Sequence, residues 1–221
     1  RKRKKKMASY ELFKPSLEQA EGGYQNLKND KGNYNSKKER VGTNHGISAK
    51  FYEKILGRPP SINDMKSLTK VEAHILFKNE FWDKMQADSI RSQAVAEMIV
   101  DHAINANPRV TAGIVQRSLN RYFGKNLQVD YVIGSNTVKA INSVDAKQLF
   151  ERIGKERLAY YKRLKDYQYF ATSWTGRVFA LAHKFGVDLK KKKATTLLVS
   201  ITSIALISYV IYTKAKKKKK K

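Results

Sequence analysis

Apolar positions recur along most of this chain with a spacing near 3.6, which predicts helices and little strand. Residues 9–20 read as a helix with Leu17 and Ala20 inward, Pro15 in the first turn and Gly22 and Gly23 closing it. A polar loop over 29–42 carries Gly32, Asn33, Asn35 and Ser36. Residues 42–48 read as a short extended piece, 49–56 as a helix, 59–61 as a break and 62–66 as a new helical turn. A helix over 69–81 carries Val71, Ile75 and Leu76. The clearest stripe is Ile90, Ala94 and Met98, widened by Val95 and Ile99, in a helix over 89–105. Asn107 and Pro108 mark a turn, and 111–123 a helix with Val115, Leu119 and Tyr122 on one face. Residues 124–134 alternate weakly, as in a small hairpin or loop. Ser135 or Asn136 can cap a helix over 137–141, and Ser143 a long one from 144 to about 170. A last helix lies within 172–189, with Trp174, Val178, Leu181 and Phe185 on one face. No internal repeat is visible.

One segment breaks this amphipathic pattern. "ATTLLVSITSIALISYVIYT", residues 194–213, has no charged residue. At about 1.5 Å rise per residue it matches the ~30 Å hydrocarbon core of a bilayer. Lys190–Lys193 stand before it, Lys214 follows it, and Tyr209 and Tyr212 lie near one end, as at a membrane interface. The competing reading is a buried core helix. The fold class expected is mainly α: a helical body followed by a transmembrane-type helix.

Charge adds a second layer. The 45 basic and 19 acidic residues give +26, and the ends hold much of it. "RKRKKK" at 1–6 precedes Met7, which reads as a native start, and six Lys fill 216–221. These runs read as added or disordered tails. Setting aside six charges at each end leaves +14, so the body favours an anionic partner: a wall polymer, an anionic lipid surface or a nucleic acid. No nucleic-acid-binding motif is present, so a specific nucleic-acid partner is not expected. No signal peptide is expected at the N-terminus. There is no Cys, which excludes disulfides and thiolate metal sites. His45, His74, His102 and His183 lack ligand spacing, so neither a metal nor a cofactor is expected.

Two carboxylates carry candidate chemistry. Glu21 falls at the end of the first helix, where the negative end of the macrodipole disfavours its ionised form. Tyr24 and Leu17 can partly desolvate it, which acts in the same direction. Asp30 lies nine positions on, in a Gly/Asn/Lys loop that keeps it solvated. A proton-donating and an ionised carboxylate are the minimal equipment for glycoside hydrolysis. A helix-terminal Glu is, by itself, more often a plain surface residue.

"EGGYQNLKNDKG" followed by "GTNHGIS" resembles the glycoside hydrolase family 108 of peptidoglycan-cleaving muramidases. "FWDKMQADSIRSQAVAEMIVDHAINANPRVTAGIVQRSLN" and "VDYVIGSNTVKAIN" resemble its companion peptidoglycan-binding region. The resemblance spans roughly 7–189. It implies a lysozyme-like helical domain over 7–85, a helical peptidoglycan-binding region over 86–189 packed on it, and then the Lys-flanked segment 190–215. It also implies an endolysin-like N-acetylmuramidase that acts on bacterial peptidoglycan. Glu21 matches the catalytic Glu and general acid, Asp30 the following Asp, and Thr43 the Thr that helps hold water. Tyr24 and Asn44 are the candidate substrate-binding residues, with loop packing and loop hydrogen bonding as their alternatives. Glu39 and Asp64 are the reserve carboxylates.

Two departures stand out. Thr43 follows Glu21 by twenty-two residues, later than the family pattern, so "NYNSKKER" reads as an insertion. The family's Asp-Gly is here Asp130-Tyr131, which removes a permissive turn residue. His45 reads as an ordinary loop residue and Trp82 and Trp174 as core. Asp101, Asn105, Gln116 and Asn120 read as makers of structural hydrogen bonds. The competing functions are a non-catalytic cell-wall-binding protein and a cationic, membrane-active antibacterial protein.

Overall fold

The computed structural model describes residues 7–20 and 23–189, and of Gln19 and Ala20 the backbone only. Glu21, Gly22, the terminal basic runs, and the segment 190–215 with its apolar stretch 194–213 lie outside the described residues. Among the described residues, no helix is long and apolar enough to cross a membrane. The fold is mainly α, as the periodicity predicts, with one two-stranded sheet. It divides into two compact units, Phe13–Asn79 and residues 7–12 with 80–189.

The smaller unit holds most of α1 (Tyr10–Ala20), a 3-10 turn (Lys31–Asn33), β1 (Thr43–Asn44), β2 (Ile47–Ser48), α2 (Ala49–Leu56), α3 (Ile62–Ser67) and α4 (Lys70–Phe77). Its helix starts are written in the sequence. Ser48 caps α2 by accepting from Phe51 N–H, and Gly57 in the left-handed region closes it. Ser61 with Asp64, and Thr69 with Glu72, form reciprocal capping boxes on α3 and α4. Two expectations change. Pro15 sits inside α1 and not in its first turn, so the Glu11 carbonyl receives no N–H from it. On α4, Ala73 and Phe77 are buried while Val71 and Ile75 are exposed. Both pairs are apolar at i,i+4, and periodicity alone does not choose between the two faces. The helix is also shorter than expected and passes into a π-helical segment, Lys78–Asp83, that buries Trp82.

In the larger unit α5 (Gln93–Asn105) packs against α6 (Pro108–Phe123), α8 (Ala146–Lys162) and α9 (Tyr167–Lys184). Val95 to Ala103 are all buried, so α5 is a core helix enclosed on every side. It starts four residues later than its periodicity suggests, because Ser92 caps it. Asn107 caps α6 and Pro108 is its first residue, so the expected turn is a helix start. Gly134 precedes α7 (Ser135–Asn142) without a side-chain cap, so neither Ser135 nor Asn136 plays that part. Ser143 closes α7, and Asp145 caps α8 instead. The long helix expected over 144–170 is two helices. The chain turns between Lys162 and Tyr167 through backbone bonds of Leu164 and Tyr167, with no Gly or Pro to mark the break. Trp82 is core as expected, but Trp174 is only half-buried and stacks on Phe170 at 5.3 Å.

Asp101, Asn105, Gln116 and Asn120 do make structural hydrogen bonds. Asp101 joins three helices: it accepts from Arg157 of α8 at 2.6 Å and from Arg177 of α9 at 2.6 Å. Burial alone would raise its carboxyl; the Arg177 and Arg157 guanidiniums outweigh that and hold it down at about 2. Gln116 staples the loop after α6, donating to Asp130 and Val132 O and accepting from Tyr131 N–H. Tyr131, where the family pattern has Gly, adopts φ 65°. Its ring lies in space left by Gly113, whose missing Cβ would come within 2.7 Å, and under Arg109 at 4.8 Å. Ring packing thus holds a conformation that Gly would adopt freely.

Candidate active site

The site region belongs to the smaller unit. The described part of α1 runs to Ala20, and Glu21, next in sequence, lies outside the described residues. The chain resumes at Gly23, and Gln25 pairs with Thr43 through two backbone bonds of 2.8 Å. Gln25 is the residue that sequence reasoning missed. Its Nε2 donates to Asp30 Oδ2 at 2.8 Å and to Asn33 Oδ1 at 3.0 Å, while its Oε1 accepts from Asn33 Nδ2 at 2.8 Å. A reciprocal amide pair of this kind has a weak sequence signature: a Gln and an Asn flanking a candidate Asp.

Asp30 is exposed and caps the 3-10 turn, its Oδ1 accepting from Gly32 N–H at 2.8 Å. Each carboxylate oxygen therefore takes one bond from the protein and keeps capacity for another donor. A Cβ on Gly32 would lie 3.1 Å from Asp30 Oδ1, 3.4 Å from Ser48 Cβ and 3.8 Å from Thr43 Oγ1. Asp30 and Thr43, thirteen residues apart in sequence, thus flank one small space that Gly32 leaves open.

The late arrival of Thr43 has a structural account. Asn33 O accepts from Val41 N–H at 2.8 Å and from Gly42 N–H at 3.0 Å, and Tyr34 and Arg40 form a bridge. The segment between them folds back on itself, pinned by Asn35 to Glu39 Oε2 at 2.7 Å and to Pro60 O at 3.0 Å. Extra residues leave and return at one point, so Thr43 reaches Gly32 despite the longer spacing.

β1 and β2 join through His45 and Gly46, both at positive φ (46° and 75°), the signature of a type I′ turn. His45 is a turn residue, as expected. Tyr24 packs on Val41, Ala49 and Met65 and donates its hydroxyl to Val41 O at 3.1 Å. Asn44 is 3% exposed and donates to Met65 O and Leu68 O, bracing the hairpin on the end of α3. Tyr24 and Asn44, named from sequence as substrate-binding candidates, are thus engaged within the protein: loop packing and loop hydrogen bonding fit them better than groove lining. The reserve carboxylates are also committed locally, Glu39 to Asn35, and Asp64 to Arg58 and Ser61. No group of acidic or His residues among the described ones could hold a metal ion.

Gly42 locks this arrangement. Its φ is 96°, and a Cβ there would meet Tyr24 Cε2 at 2.6 Å and Gln25 O at 2.8 Å. A Gly42→Ala chain is expected to lose about 2 kcal/mol or more of stability, from backbone strain and overpacking together. Wall lysis should fall with it, because the Gln25–Thr43 pairing must shift. Thermal unfolding beside wall turbidity checks this; an unchanged midpoint would show that the hairpin accommodates the methyl group.

The glycosyl hydrolase 108 family model matches residues 15–106, and the predicted peptidoglycan domain model matches residues 110–178. Over residues 15–106 the chain is similar to the glycosyl hydrolase 108 family, followed by a segment similar to peptidoglycan domains. It is a glycoside hydrolase acting on peptidoglycan. The fold also resembles the solved structure of SagA from Brucella abortus, with a TM-score of 0.68 and 24% identity over 83% of this chain and 99% of that one. Among curated proteins none matches. The two family matches meet between α5 and α6, whereas the compact units part at Asn79, because α5 lies in the hydrolase match yet packs on α6, α8 and α9.

Proposed function

We propose that this glycosyl hydrolase is a lysozyme-type N-acetylmuramidase, with Glu21 as general acid and Asp30 as the second carboxylate. The observation that carries the reading is the juxtaposition of Asp30 and Thr43 around Gly32, in the chain that follows the end of α1. In the sequence Gly22 and Gly23 follow Glu21 as a helix-closing pair, and a carboxyl at a helix C-terminus is favoured in its protonated form by the negative end of the macrodipole. It protonates the glycosidic oxygen as the bond to the anomeric carbon breaks. Asp30, open to solvent, activates water or stabilises the positive charge that develops at that carbon. Thr43 positions the water with its hydroxyl. Gln25 is a positioning residue that orients the Asp30 carboxylate through its amide. The basic body attracts the anionic wall.

Asp30→Asn tests the second role. Asn retains the acceptor for Gly32 N–H, so the cap is kept while the charge is lost. Wall lysis is expected to fall by about 10²-fold with an unchanged circular dichroism spectrum. Full activity in that variant would move the second carboxylate elsewhere.

Residues 194–213 are proposed to hold the enzyme at a membrane, on their length, lack of charge and Lys brackets. The described body closes before them: Leu189 is 5% exposed and packs on Gly154. A chain ending at Leu189 should therefore stay folded and lytic and leave the detergent phase, into which the full chain partitions. Unfolding of the shortened chain would mark the segment as a core helix.

A further inference from the structure

Between α6 and α8 of the larger unit lies a half-open cleft of about 540 Å³, lined by Arg117, Arg121, Tyr122, Glu156, Arg163 and Ser118 among others. Its charge arrangement is unusual for a structural groove. Arg117, Arg121 and Arg163 form no ion pair with any described residue. Two of them rest on aromatic faces instead: Arg117 lies over the Tyr131 ring at 5.8 Å and Arg121 over the Tyr122 ring at 5.3 Å. Stacking holds a guanidinium by its face and leaves its N–H edge available. Glu156, the carboxylate among the lining residues, accepts from Tyr122 OH at 2.7 Å and so is held at the wall of the cleft. Ser118 also lines the cleft, is 1% exposed, and its hydroxyl oxygen has no hydrogen-bond partner in the protein.

We propose that this cleft binds the peptide stem of peptidoglycan through its carboxylates. The inference rests on the chain's action on peptidoglycan and adds a second recognition element, within the region matched as a peptidoglycan domain. Three guanidiniums and one carboxylate complement a ligand with several carboxylates and a free ammonium. An uncrosslinked stem peptide has that pattern, whereas a plain polyphosphate or phosphodiester has no ammonium for Glu156. The volume falls in the range of sites for small ligands, and Ile114 gives apolar wall for an alanyl methyl group. Planar guanidinium forks pair with carboxylates in two-point contacts. Recognition of the stem would place the enzyme on glycan that still bears peptides.

Isothermal titration of the full chain with the tetrapeptide L-Ala-γ-D-Glu-meso-diaminopimelate-D-Ala tests the proposal. Saturable binding is expected, at least tenfold weaker for the same peptide with its carboxyls amidated and at least tenfold weaker for an Arg121→Gln/Arg163→Gln chain. Both arginines stand at the surface, so folding should survive; should it not, the comparison of free and amidated peptide on the wild type still decides. No detectable binding, equal binding of the amidated peptide, or tighter binding of a teichoic-type phosphodiester polymer would overturn it. The assay involves no bond cleavage. Its failure therefore leaves the hydrolase assignment untouched, and an inactive Glu21→Gln chain should bind the tetrapeptide like the wild type.

Discussion

A Glu21→Gln chain is expected to fold like the wild type and to lyse purified wall about 10²–10⁴-fold more slowly. Gln keeps the size and hydrogen-bonding reach of Glu but has no proton to give to the leaving oxygen. The change removes an interaction made only in the transition state, so it should appear in kcat with little change in substrate binding. Folding should not suffer, because the change keeps the side chain's size and the buried anchors of α1, Tyr10, Phe13 and Leu17, lie upstream. The same variant separates the competing functions. A cationic membrane-active protein would keep killing with Glu21→Gln and lose it when its basic termini are trimmed. A non-catalytic wall binder would show no lysis to lose. Circular dichroism beside wall turbidity makes the comparison, and near wild-type lysis by the folded variant would remove Glu21 from the mechanism.

The second large effect concerns stability. Arg157 is 0% exposed, and its counter-charge is Asp101, which also holds Arg177. Asp101→Ala leaves Arg157 with Met98 O and Tyr161 OH but with no anion, in a core that cannot solvate it. Removing one partner of a buried pair costs about 3–5 kcal/mol. That is a large share of the ~5–15 kcal/mol available to a domain. Urea unfolding at pH 7 reads it directly; a loss under about 1 kcal/mol would mean that water reaches Arg157. Replacing Arg157 by Met in the same chain should restore part of the loss.

His102 gives this core its pH dependence. Its Nδ1 lies 3.0 Å from Thr111 Oγ1, whose own hydroxyl donates to Asn107 O. Thr111 must then accept, so the proton sits on Nδ1 and Nε2 is bare, buried and without a partner. Burial, and then the nearby Arg157 charge, push the imidazole down to about 3, with Asp101 opposing. Between pH 6.5 and 3 the unfolded chain therefore takes up a proton that the folded chain refuses, and stability falls as the pH falls through that window. Asp101, held low, contributes stability above 3.8 that is lost only as pH falls towards 2. His74, also lowered by burial, acts in the same direction as His102. Glu97, raised by burial against Lys184 and Gln93, acts in the opposite direction. His102→Gln leaves those two untouched and should flatten the slope of stability between pH 6.5 and 5.

Much of the fold is legible in the chain because its signals are local. Helices α2 and α3 begin where their pattern predicts, directly after their caps Ser48 and Ser61, and α2 has the bounds its pattern suggests. The misreadings arise where the deciding contact is distant or the signal is shared. No Gly or Pro marks the turn after Lys162, so the pattern carries the first helix past it to about 170 and starts the second too late. Val71 and Ile75 carry as much apolar area as the face that α4 buries. At the proposed site, Asp30 and Thr43 are named from their motifs, whereas the part of Gln25 depends on a bridge to Thr43 and an amide pair with Asn33, of which a Gln and an Asn flanking Asp30 are only a weak sign. Asn44 is named for its motif, yet its amide is spent on two carbonyls more than twenty residues away.

The most direct test of the central claim is the identity of the new reducing ends. Purified peptidoglycan is digested with the wild-type chain and with Glu21→Gln, reduced with borohydride, and the released muropeptides are read by mass spectrometry. Muramitol ends that accumulate with the wild type and are absent with the variant are the expected result. Glucosaminitol ends, or muramitol released equally by the variant, would contradict it.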